Sequence, residues 1–168
     1  MNYKCEKGMN NEERECFEEK LYLIEWCQTL QRVPDDIWFQ ALREGSWAIA
    51  DVISHFIVWD VFLIQDRIPY FISRQSVPNV PIDVEEMNKG AIKYARSGIS
   101  KKELLNQFSV SRKQLVDEIG RIPIKYFYID YQFGTKKVKL NHYFSSLIQH
   151  DLKHKEEIIQ FLNKKSSL

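Results

Sequence analysis

Apolar residues recur along this chain at steps of three and four over several long stretches, the period of amphipathic helices, and each stretch breaks off at prolines, glycines or polar runs. The first stretch puts Phe17, Leu21, Ile24, Cys27 and Leu30 on one stripe. Asn10 or Asn11 suits its N-cap, followed by Glu12 and Glu13 where negative charge favours a helix start, and Pro34 ends it. A second helix runs from an N-cap at Ser46 through Ile64 and is apolar on most faces, as a helix buried in a bundle would be. Pro69 either ends that helix or kinks it one turn before its end. Residues 74–83, with Pro78 and Pro81, read as a connection.

A third helical region follows in two pieces. The first spans about 83–95, the turn Ser97-Gly98 separates them, and Ser100 with Glu103 forms a capping box for the second. Leu104, Leu105, Phe108, Leu115, Val116 and Ile119 supply the buried stripe of that second piece, and Gly120 and Pro123 stop it. Residues 124–139 alternate aromatic or β-branched with polar positions around Gly134, a pattern that fits a short hairpin and equally an extended loop on the bundle end. The last helix spans about 140–162, with an inward face at Tyr143, Leu147, His150, His154, Ile158 and Phe161 and a stop at Asn163. Residues 1–9 and 164–168 are expected to be flexible ends of a single domain covering 1–168. The expected fold is all-α, a four-helix bundle.

Composition narrows the function classes. The 168 residues are 44% hydrophobic and 13% aromatic, with few glycines (6) and prolines (5), which favours helices with bulky cores. Lys+Arg (24) nearly balances Asp+Glu (23), so the chain lacks the basic stripe that phosphate contacts require, and nucleic acid is a poor partner. Cys5, Cys16 and Cys27 form no CxxC pair, and the last two stand ~16 Å apart along a straight helix, too far to bridge. Reduced thiols and a cytoplasmic location follow as the simpler expectation. The N-terminus shows no secretory signal, and the apolar stretch 47–64 carries Asp51, His55 and Asp60, which argues against a membrane span.

Four histidines remain, and their placement carries the most information. His150 and His154 fall on the inward line of the last helix, one turn apart, close enough for both rings to bind one divalent cation. His55 sits inside the apolar second helix and needs a partner there. A plainer arrangement stays open: His55 hydrogen-bonded to Asp51 one turn earlier, and His150 on the helix surface beside Asp151. His142 reads as a surface or capping residue. Asp51 is also a candidate acceptor for a ligand N–H, and Asp60 and Asp66 are candidates for the mouth of the site.

The run Trp47-Ala48-Ile49-Ala50-Asp51-Val52-Ile53-Ser54-His55 resembles the W-s-i-x-e/d-v-l-x-H segment of the DinB/YfiT-like superfamily of metalloenzymes. The run His150-Asp151-Leu152-Lys153-His154-Lys155-Glu156-Glu157-Ile158 resembles its H-D-x-H-H-x-x-Q-I segment, with Lys153 where a further His is common and Glu157 where Gln is common. Order, separation and total length also fit. The resemblance implies a bundle in up-down-down-up order, with His55, His150 and His154 binding one divalent metal, Zn²⁺ or Ni²⁺ by their imidazole ligands. It further implies transfer of a low-molecular-weight thiol such as bacillithiol to an electrophilic small molecule, or else metal-dependent hydrolysis, in proteins that are commonly homodimers. Two non-enzymatic readings stand beside these: a stress-related binding protein, and a helical interaction module using Trp26, Trp38 and the aromatic segment 126–133.

Overall fold

The computed structural model of the protein describes residues 11–166, with side chains from Glu18 onward. Asn10, Cys5 and the side chains of Cys16 and Phe17 lie outside the described residues. Helix α1 spans Asn11–Thr29 and is followed by a single 3-10 turn, then by a short α2 at Asp35–Trp38. Helix α3 spans Ile49–Asp66 and α4 Ile68–Ser73; Pro69 occupies the first turn of α4, where its missing N–H costs nothing. The two pieces of the third helical region are α5 at Val84–Ala95 and α6 at Lys101–Gly120. A 3-10 turn at Ile124–Tyr128 leads into strands β1 (Asp130–Phe133) and β2 (Lys136–Lys139), and α7 runs Leu140–Ser166.

Pairwise contacts fix the directions. Phe56 and Asp60 of α3 meet Phe108 and Arg112 of α6 in the same order, so those helices are parallel. Gln28 of α1 bonds Ser109 of α6, while Lys101 at the start of α6 donates to the Val33 carbonyl just past α1, so this pair is antiparallel. Phe71 packs on Tyr143 and Phe144 whereas His55 meets His154, so α3 and α7 are antiparallel as well. The order is up-down-down-up. Helix α5 folds back along the outer side of α3: Ser54 Oγ donates to the Ala91 carbonyl at 2.7 Å, and Asp51 pairs with Arg96. Gly98, at φ 95°, makes the reversal between α5 and α6, and Ser100 Oγ caps α6 by accepting the Glu103 N–H at 3.2 Å.

Two apolar clusters fill the bundle. One gathers Leu23, Cys27, Ile53, Phe56, Leu105, Phe108 and Ile158; the other gathers Leu63, Phe71, Leu115, Ile119, Phe127 and Phe144. Between them lies a layer of four buried charges, one from each main helix. Arg112 Nε donates to Asp60 Oδ2 at 2.8 Å, Arg112 Nη1 to Asp151 Oδ2 at 2.6 Å, and Lys20 Nζ to the same Asp151 oxygen at 3.1 Å. The Phe56 and Phe108 rings flank the guanidinium, 5.7 and 5.1 Å from its carbon.

This layer corrects two expectations. The inward face of α7 is Leu140, Phe144, Ile148, Asp151, Ile158 and Phe161, so its first half is turned by one residue from the expected Tyr143, Leu147 and His150. A carboxylate that must reach Arg112 and Lys20 overrides the apolar periodicity. Asp60 likewise lies in the core rather than at the mouth of a site. Helix α3 begins at Ile49 after an N-cap at Ala48, two residues beyond the expected Ser46, because Asp51 Oδ2 turns back to accept the Ala48 N–H at 2.9 Å. Helix α7 continues past Asn163 to Ser166. Residues 124–139 form the hairpin alternative: Phe133 pairs with Lys136 across a two-residue turn in which Gly134 takes φ 57°. Trp38, Phe127 and Tyr131 are core residues, which removes them from any partner surface.

Arg112→Met leaves two buried carboxylates facing each other with Lys20 as their only cation, and we expect a loss of about 3–5 kcal/mol in urea unfolding. A loss under about 1 kcal/mol would show that the charge layer does not hold the bundle.

Candidate metal centre

The start of α3 is pinned from two sides. Asp51 closes the first turn on the Ala48 N–H and receives Arg96, just past the end of α5, through both oxygens, at 3.0 and 2.7 Å. Both of its oxygens are thereby engaged, so Asp51 does not partner His55, one turn further along. That role belongs to Asn88 of α5: its Oδ1 lies 3.0 Å from His55 Nδ1 and also accepts the Trp59 Nε1 hydrogen at 3.3 Å. An oxygen acceptor at Nδ1 selects the tautomer with its proton there and leaves the Nε2 lone pair free. Nε2 is buried and has no hydrogen-bond partner.

Helix α7 brings His150 and His154 against that ring. Centroid separations are 5.2 Å for His55–His150, 5.3 Å for His55–His154 and 4.6 Å for His150–His154. One nitrogen from each ring lies within 4.8 Å of the other two. Nitrogens around a tetrahedral Zn²⁺ stand roughly 3.4 Å apart, from Zn–N bonds of about 2.1 Å, so closure requires a small rotation. The His150 side chain, 47% exposed, is free to make it, whereas His55 and His154 are held in the wall. Trp47 supplies that wall, stacked on His154 at 5.7 Å and tilted against His55 at 4.9 Å; Phe56 lies 5.9 Å from His154.

Each ring also has an oxygen behind it. Glu157 Oε2 lies 3.3 Å from His154 Nδ1, out of hydrogen-bond alignment, while its Oε1 receives Arg43 at 3.3 Å. Asp151 Oδ1 lies 3.7 Å from His150 Nδ1, longer than a hydrogen bond. The sequence placed Asp151 beside His150 and Glu157 one turn after His154. Trp59 stands one turn after His55 on the same helix, as its spacing indicates, but Asn88 carried no local signal, since its relation to His55 arises only when α5 folds onto α3. His142 is exposed at the start of α7, and Asp66 is exposed at the far end of α3.

Burial lowers the His55 pKa from 6.5 to about 4, helped by repulsion from His154 and His150. Burial, and then His150, lowers that of His154 as well. Both imidazoles are therefore neutral at neutral pH. The donor set fits a divalent ion: three convergent imidazoles, of which His55 has an orphaned buried lone pair on Nε2 and an oxygen acceptor at Nδ1.

No known protein family matches this sequence, and no curated protein is similar to it. Solved structures do match its shape. YfiT from Bacillus subtilis, described as a probable metal-dependent hydrolase with an unusual four-helix bundle topology, aligns over 98% of this chain and 94% of its own, with a TM-score of 0.76 and 12% identity. A mycothiol-dependent maleylpyruvate isomerase aligns over 89% of this chain and 63% of its own, with a TM-score of 0.62 and 16% identity. The fold is therefore the four-helix bundle of these structures, with the topology described for YfiT.

In metal-free protein the unfolded chain takes up the His55 proton first, because the folded-state pKa is the lower one. Its contribution to stability is intact above pH 6.5 and is lost as pH falls toward about 4. Urea unfolding with chelator present should weaken by up to about 3 kcal/mol across that window, and His55→Gln should flatten the decline. A wild-type profile as flat as the variant's contradicts the burial of a neutral ring.

Proposed function

We propose that this protein is a metal-dependent enzyme in which His55, His150 and His154 hold one divalent ion and a small thiol is transferred to an electrophilic small molecule. The observation that carries this reading is the convergence of three imidazoles from α3 and α7, with the buried His55 Nε2 lacking any protein partner. Three neutral ligands leave coordination positions open, as in catalytic rather than structural sites. Such an ion supplies Lewis acidity that brings the pKa of a bound thiol or water toward neutrality. Zn²⁺ and Ni²⁺ both suit the imidazole set.

The protein's own groups have separable tasks. Asn88 orients His55 and fixes its tautomer; Glu157, itself tethered by Arg43, stands behind His154; Trp47 and Phe56 exclude water from the inner side. His150 lies at the exposed edge, so a ligand reaches the open positions from that side. The fold shared with a mycothiol-dependent enzyme favours a thiol as the bound nucleophile. The second reading is hydrolysis by activated water, which the likeness to YfiT favours.

Protein reconstituted with Zn²⁺ or Ni²⁺ is expected to hold one ion per chain, and His55→Ala, His150→Ala and His154→Ala each to hold well under one. Asn88→Ala should keep the ligands yet lower metal affinity about 10–100-fold. Unchanged metal content in the His variants removes the site. Loaded protein with bacillithiol and a reactive electrophile should form conjugate faster than the metal-free control; hydrolysis of activated esters or amides without conjugate formation favours the second reading.

A further inference from the structure

Among the described residues, buried charges come in opposite pairs, with one exception. Lys20 and Arg112 meet Asp60 and Asp151, and Asp51 meets Arg96. Arg67, immediately after α3, is 9% exposed and has no carboxylate partner among the described residues. Its Nη1 donates to the Asp66 carbonyl at 2.8 Å, its guanidinium lies 4.5 Å from the Phe62 ring centre, and the Tyr143 hydroxyl feels its charge. A guanidinium has five N–H donors, and these neutral acceptors use only part of them. A cation this deep without a counter-charge is costly unless something supplies one.

Arg67 lines a cavity of about 300 Å³ whose remaining walls are largely apolar: Phe62, Tyr70, Pro78, Val80, Pro81 and Ile82. The cavity is aligned with the histidines. His55, Trp59, Phe62 and Asp66 follow one another at steps of four, three and four on a single face of α3. The Trp59 ring touches His55 at 5.9 Å and Phe62 at 5.5 Å, so a row of aromatic rings runs along this face from the histidines to the cavity wall. At 1.5 Å per residue, Phe62 lies about 10 Å along the helix from His55. Asp66 also lines the cavity, but its exposed carboxylate is screened by water, whereas the Arg67 guanidinium is shielded by protein.

We infer that this cavity is a subsite for the carboxylate end of a small molecule whose reacting end lies at the three histidines, with Arg67 as the group that binds the carboxylate. A carboxylate accepts two parallel N–H bonds from a guanidinium, and the apolar walls suit a hydrocarbon or aromatic linker. The assignment of the reacting end rests on the proposed function; the assignment of the carboxylate end does not.

The test has two arms. In metal-free protein, calorimetry compares 4-phenylbutanoate with 4-phenylbutanamide, of the same shape but neutral. The carboxylate should bind about tenfold tighter or more. Arg67→Met should abolish that preference, and Arg67→Lys, which keeps a cation for the fold to close around, should reduce it. Equal binding of acid and amide by the wild type, or a preference unchanged in both variants, overturns the subsite. In the second arm, cobalt-loaded protein is titrated with ω-mercaptoalkanoates of graded length and with the matching mercaptoalcohols, read by the thiolate-to-cobalt absorption band. Acids long enough to span both sites should bind tighter than the alcohols only when Arg67 is present. Absence of that difference overturns the shared ligand, while failure to load cobalt counts against the metal centre and leaves the first arm readable.

Discussion

Four charges, one from each main helix, meet in the middle of the bundle, and the site depends on how they are satisfied. Arg112 cannot be buried unless Asp60 and Asp151 reach it, and Asp151 also neutralises Lys20. Arg112 thereby holds Asp151 well below the usual carboxylate range against the opposing effect of burial. Buried ion pairs contribute little net stability compared with apolar packing, yet a single missing member is expensive. The layer therefore acts as a register device: it fixes the rotation of α7 at Asp151. His150, the residue before it, is carried to the exposed edge, and His154, one turn on from His150, is carried into the wall beside His55. The same carboxylate serves both regions, one oxygen toward the core cations and the other 3.7 Å from His150.

Much of this was legible in the sequence and some was not, for physical reasons that differ by residue. Helices with strong apolar periods and caps, such as α6 behind Ser100, stand where the pattern puts them, because local propensity and burial agree. The rotation of α7 was misjudged at Tyr143 and Leu147 because the pattern rates Asp151 as a surface residue, and only its partners on α1 and α6 make burial tolerable. The three histidines were found by spacing and resemblance. Trp59 follows His55 at helical spacing, whereas Asn88 and Arg67 were not found, since each matters through contacts between segments far apart in sequence. Asp51 looked like a partner for His55 from its i,i+4 spacing, but the free N–H at the helix start and Arg96 claim its oxygens first.

The centre combines a rigid part and an open one. His55 and His154 are walled by Trp47 and Phe56 and kept neutral by burial, so their lone pairs are available at neutral pH without a deprotonation cost. His150 stands at the solvent edge. From there the aromatic face of α3 runs toward Arg67, which gives the site a direction as well as a position.

X-ray absorption at the zinc edge tests the central claim most directly, because it counts imidazole ligands without reference to any reaction. Zinc-loaded wild-type protein should show three imidazole nitrogens at about 2.0–2.1 Å plus solvent oxygen, and the His154→Ala protein should lose one imidazole. A wild-type spectrum with fewer than three imidazoles, or one unchanged by removing His154, would contradict the account.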